Sequence, residues 1–203
     1  MRSILLTVAL TLLLMPAVFA GQITGGTVGL ISPGHVITFE ELALTENEAV
    51  TTQFALYGAT FTGVGADVNN AYGGGGSTGF SGSTYLFSGF SGFSLPVVIG
   101  FDSPVNAAAI AAVDQGDTFD VVAYLGGTSG TLVDSLSITI PANPPGVGFV
   151  GFTGETFDTL VFTGTGALGL DTLEFNSAVP EPANVFFIGL GLAFMAARRK
   201  LIR

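Results

Sequence analysis

The sequence predicts an all-β chain, an antiparallel β-sandwich flanked by an N-terminal signal helix and a C-terminal transmembrane helix. Three observations lead there. Short runs rich in β-branched and aromatic residues recur along the middle of the chain, each bounded by Gly, Pro, Asp or Ser. Residues 131–140 alternate with period two. Two longer apolar stretches are confined to the ends.

The first stretch runs from Ile4 to Met15 behind Met1-Arg2, is broken by Pro16, and ends in Val18-Phe19-Ala20. Small and short-branched side chains there suit signal peptidase, with cleavage between Ala20 and Gly21, so residues 1–20 read as a signal peptide. A membrane-spanning helix needs about 20 apolar residues, more than this run supplies.

Within residues 21–178, strands are predicted at His35–Phe39, Ala59–Thr62, Val97–Phe101, Phe119–Leu125 and Thr131–Ile140, then at Val147–Phe152, Phe157–Phe162 and Leu168–Phe175. In Thr131–Ile140 the pattern puts Leu132, Leu136, Ile138 and Ile140 on one face and Thr131, Ser135, Ser137 and Thr139 on the other. Gly126-Gly127-Thr128-Ser129-Gly130 joins two of these runs as a hairpin loop. Glu40–Val50 holds a turn or less. The alanines at 107–109, 111 and 112 permit a helix, but Pro104 before them and Asp114-Gln115-Gly116-Asp117 after them leave room only for a strand. Tyr72–Ser94 is rich in Gly, Ser and Phe and reads as a surface loop or a Gly-spaced strand pair, its phenylalanines covering the sandwich edge.

The second apolar stretch, Val185–Ala197, follows Val179-Pro180-Glu181-Pro182 and precedes Arg198-Arg199-Lys200 and Arg203. Two prolines hold the motif extended. As a helix the 13 apolar residues reach only about 20 Å, a marginal span. The basic cluster behind them orients the tail to the cytoplasm and the body outward. This ordered triplet resembles the PEP-CTERM sorting domain of Gram-negative bacteria. The resemblance implies recognition of Pro180, Glu181 and Pro182 by an exosortase, an integral-membrane transpeptidase, with delivery to the cell surface or the exopolysaccharide matrix.

Charge separates body from ends. All five Lys and Arg lie in the end segments, whereas of the fifteen Asp and Glu only Glu181 does, so the body carries fourteen acids and a formal charge of −14. Such a surface repels nucleic acid and anionic headgroups. The absence of cysteine excludes disulfides and thiolate chemistry. Segments such as Val36–Leu42, Gln53–Phe61, Phe101–Val105 and Leu170–Phe175 are similar to the jelly-roll, galactose-binding-like ectodomains found among PEP-CTERM proteins.

Catalytic constellations are scarce. A Ser-His-Asp triad would have to use His35, the only histidine, and Asp114, Asp117 and Asp120 form a short acidic turn that reads as solvated. No enzyme is expected and no cofactor is required. Metal enters through strand phase: Asp171 is in register with Leu173 and Phe175, and Asp134 with Leu132 and Leu136. A buried carboxylate without Lys or Arg must find N–H or O–H donors, a raised pKa, or a cation such as calcium. The jelly-roll resemblance implies that acids of the first and last strands meet, making Glu40, Glu41, Asp171 and Glu174 the calcium candidates. Two roles remain open for the exported body, a structural or matrix role and glycan (exopolysaccharide) binding, with hydrolase third. The body has no Trp and only Tyr57, Tyr72, Tyr85 and Tyr124 to stack on sugars, which favours the structural role.

Overall fold

The computed structural model describes residues 21–68, 80–89, 91–114, 116–139 and 148–178. The signal peptide, the Pro180-Glu181-Pro182 motif, the second apolar stretch and the basic cluster lie outside the described residues. Among those that are described, no helix is long and apolar enough to cross a membrane.

The body is all-β, and every strand pairing in it is antiparallel. Among the described residues eleven strands form it: β1 Gly21–Gly26, β2 His35–Ile37, β3 Ala49–Val50, β4 Ala59–Thr62, β5 Val64–Asp67, β6 Tyr85–Ser88, β7 Val97–Asp114, β8 Thr118–Leu125, β9 Thr131–Thr139, β10 Phe149–Gly164 and β11 Leu168–Ser177. A 3₁₀ turn, Ala55–Tyr57, interrupts them.

All the strands join in one sheet, and two of them are long enough to change partners along their length. The start of β7 pairs with β4 and with the end of β10, which continues through β8 to β9. The rest of β7 pairs with β11 and with the start of β10, which carries β1, while the far side of β11 carries β2 and β6. Both long strands change partners where their pairing is interrupted. In β10 the register shifts around Phe157, and in β7 no ladder partner among the described residues faces Asp102–Pro104, so the missing N–H of Pro104 leaves no gap in a ladder. One hydrophobic cluster joins the two halves, with Phe61, Ile99, Val121 and Phe162 from the first and Ile110, Val150, Leu173 and Phe175 from the second.

The alanine-rich run is a strand because both of its faces are covered. Ala108, Ile110 and Ala112 enter the main core, whereas Ala107, Ala109 and Ala111 pack under Leu30 and Phe149 in a second cluster. Small side chains let the segment before β2 lie close on the outer face.

Several expectations need correction. Val147–Phe152 and Phe157–Phe162 are halves of one strand, and so are Val97–Phe101 and the alanine run. Within Tyr72–Ser94 the strand alternative holds in part: Tyr85–Ser88 is a strand, but a buried interior one between β5 and β11 and not an edge cover. Leu132 is not in the core but 57% exposed, because a bulge between Ala123 and Tyr124 pairs Leu132 with Tyr124 and Asp134 with Ala123 and turns Leu132 out of phase with Leu136. Asp134 keeps its phase with Leu136 and accepts hydrogen bonds from the Gln22 side chain and the Ser135 N–H.

Candidate functional site

The four calcium candidates do not converge. Glu41 bonds the Thr38 N–H and hydroxyl, and Glu174 accepts from the Leu30 N–H at 2.6 Å. Only Glu40 and Asp171 meet, across the loop leading into β6. Asp171 is 1% exposed; it accepts from the N–H groups of Ser81 and Thr172, each at 2.6 Å. Glu40 accepts from those of Ser83 and Thr84 at 2.7 and 2.6 Å. Gly82, at φ +62°, closes this loop, and any Cβ there would strike the Glu40 carboxylate.

Burial pushes the Asp171 carboxyl from 3.8 to about 7, and the neighbouring Glu40 charge adds to the rise, while the two N–H donors oppose it. Turn N–H groups and a raised pKa thus meet the cost of burying this acid. The cavity beside it measures ≈ 10 Å³, room for about one water. Calcium takes six to eight oxygens (about 2.3–2.6 Å away), and among the described residues no group of three or more acids or histidines is placed to hold a metal. Sequence reading missed a second buried acid, Asp67, which accepts from the Tyr85 hydroxyl at 2.8 Å; its strand is too short to show a period.

A larger groove, ≈ 330 Å³, opens where β2, the 3₁₀ turn, the bend of β7 and the end of β11 come together. Cross-strand pairing sets His35 opposite Phe175, and the exposed imidazole lies flat on the buried phenyl ring, centroids 4.7 Å apart and planes 7° from parallel. Tyr57 ends the 3₁₀ turn with 37% of its surface exposed, beside Leu56 at 99%. Between these walls stand the Asp102 carboxylate and the hydroxyls of Ser103 and Ser177. Gly58 makes the space: its φ is +92°, and a Cβ would lie 3.2 Å from the Phe175 ring and 3.5 Å from the Asp102 carboxylate. Its carbonyl accepts from the Asp102 N–H at 3.1 Å, fixing that residue against the turn.

The groove therefore presents an exposed phenol ring, a braced imidazole face, one carboxylate and two hydroxyls. Ring faces pack on apolar C–H surfaces, and the polar groups donate and accept at fixed points. His35 Nε2 lies 3.5 Å from the Ser177 hydroxyl, the outer limit of a hydrogen bond, and among the described residues no carboxylate orients its imidazole, as a triad requires. Of the acidic turn, Asp120 is exposed on β8 and Asp117 half-buried, and neither lines this groove.

No protein-family model matches the chain, and no curated protein matches it. Among solved structures it is similar to the carbohydrate-binding module CsCBM6-3 from Clostridium stercorarium, solved in complex with cellobiose. The identity is 15%, with 48% of this chain and 76% of that one covered and a TM-score of 0.31. It is also similar to CBM32-3 from a family 31 glycoside hydrolase of Clostridium perfringens, at 15% identity over 58% of this chain and 91% of that one, TM-score 0.32.

Proposed function

We propose that this chain is exported, sorted through its PEP-CTERM-like tail to the cell surface or extracellular matrix, and binds glycan there through the Tyr57 groove. The groove carries the reading. A pyranose offers an apolar face and a rim of hydroxyls, and Tyr57, the His35–Phe175 stack, Asp102, Ser103 and Ser177 supply the matching surfaces in one concavity large enough for one or two sugar units. We read the two-layer body as a jelly-roll, galactose-binding-like sandwich without enzymatic activity.

The domain division is read from the sequence: the proposed cleavage bond lies between Ala20 and Gly21, and the motif begins at Val179. The proposed partners are accordingly signal peptidase, exosortase, the membrane during sorting, and exopolysaccharide.

The structural role favoured by composition rests on the poverty of aromatic platforms. Tyr85 is indeed buried, at 2% exposure, yet Tyr57 stands at the groove. A glycan array probed with wild type and Tyr57→Ala decides between the two roles. Binding that the substitution reduces about tenfold or more, the loss of a stacking contact worth 1–2 kcal/mol, supports glycan recognition. No binding by the wild type returns the body to a structural role.

A further inference from the structure

Resting on the glycan reading of the groove, the charge around it specifies the class of sugar. We infer that the groove takes an amino-sugar chain with free amines, one ammonium sitting on Asp102, and rejects chains built from uronic acids or bearing sulfate.

Among the described residues Asp102 is the only acid lining the groove, and neither Lys nor Arg occurs anywhere in residues 21–178 to partner an anionic sugar. A uronate held against Tyr57 would face the Asp102 carboxylate with no Lys or Arg to pair with either group, and like charges at close range disfavour such a ligand. An ammonium reverses every one of these terms. The Asp102 side chain is exposed, its backbone is tied to Gly58, and among the described residues no hydrogen bond competes for its carboxylate. The Tyr57 face beside it attracts cations through the ring quadrupole. The body's charge of −14 draws a polycation in from a distance and repels a polyanion.

The test is calorimetric titration of the full chain, in mild detergent, with hexamers of glucosamine, N-acetylglucosamine, glucose and galacturonic acid. It is run at mildly acidic pH, where the glucosamine amine is protonated. The glucosamine hexamer should bind tightest, weaken with added salt and lose about fivefold in affinity in Asp102→Asn, the upper range for one exposed ion pair. Asp102→Glu should retain most of it. Asp120→Asn, an exposed acid away from the groove, should change nothing. Equal losses in the Asp102 and Asp120 variants would mean diffuse attraction by net charge and would overturn the inference. So would galacturonate binding as tightly as glucosamine. A neutral hexamer that binds as tightly as glucosamine, with Asp102→Asn silent, overturns the amine preference but leaves glycan binding standing. Failure of all four hexamers overturns both.

Discussion

Asp171 shows how a single residue can carry a measurable signature. Its folded pKa of about 7 stands above the ordinary value of 3.8, so the folded chain keeps a proton that the unfolded chain releases. The stabilisation tied to that proton is fully present below the unfolded value and is lost as pH rises through the folded one. A shift of this size corresponds to about 3–4 kcal/mol. Urea unfolding across pH 4–8 should show wild type losing stability by about that much more than Asp171→Asn, which cannot titrate. Parallel curves would place the carboxyl in water. The N–H groups of Ser81 and Thr172 occupy the acid's oxygens, so calcium should raise the thermal midpoint no more than sodium chloride at matched ionic strength. A calcium-specific rise that Asp171→Asn abolishes would restore the cation.

Among the elements, the β8–β9 hairpin separates what sequence pattern reveals from what it conceals. Its loop was legible, and the structure adds that Asp158 of β10 accepts from the Gly126 and Gly127 N–H groups at 2.8 and 3.0 Å. The bulge was not, because an extra residue in a ladder leaves the composition unchanged while reversing which side chains face inward. Leu132→Ser should therefore alter stability by less than about 0.5 kcal/mol, whereas Leu136→Ala, buried in the core, should cost about 2–4 kcal/mol. Equal costs would mean the bulge is absent. The same logic explains the other misreadings. Ala107–Ala112 carries no alternation because both faces are buried, and Tyr85–Ser88 is buried at every position amid glycine-rich flanks. Clear alternation or dense aromatic content made β4, β8 and β11 readable. The groove was not readable as a unit, since His35, Tyr57, Asp102 and Phe175 meet only through strand pairing across the chain. Glu40 and Asp171 lie across one loop, but Glu41 and Glu174 do not join them, because Glu41 is held by the Thr38 N–H three residues away and Glu174 by the N–H of Leu30, in the segment before β2.

For the whole molecule, the separation of charge bears on the proposed delivery and on how it can be followed. Only the end behind the second apolar stretch carries the Lys and Arg that favour the cytoplasmic face, and the PEP-CTERM-like motif stands between it and the acidic body. Glu181 belongs by sequence to the tail motif and not to residues 21–178, so Glu181→Ala should leave the stability of the body unchanged. The substitution should therefore change where the protein accumulates, not whether it folds. In cells with an active exosortase, the variant should remain in the membrane fraction with an intact tail while the wild type reaches the surface or matrix. No Lys or Arg lies between Ser3 and Ala197, so trypsin leaves the body whole in every fraction. Location can then be scored on one undegraded species, and an internal binding defect is not mistaken for proteolysis. Identical fractionation of variant and wild type would break the link between the motif and sorting, and glycan binding would then have to be explained for a body held at the membrane.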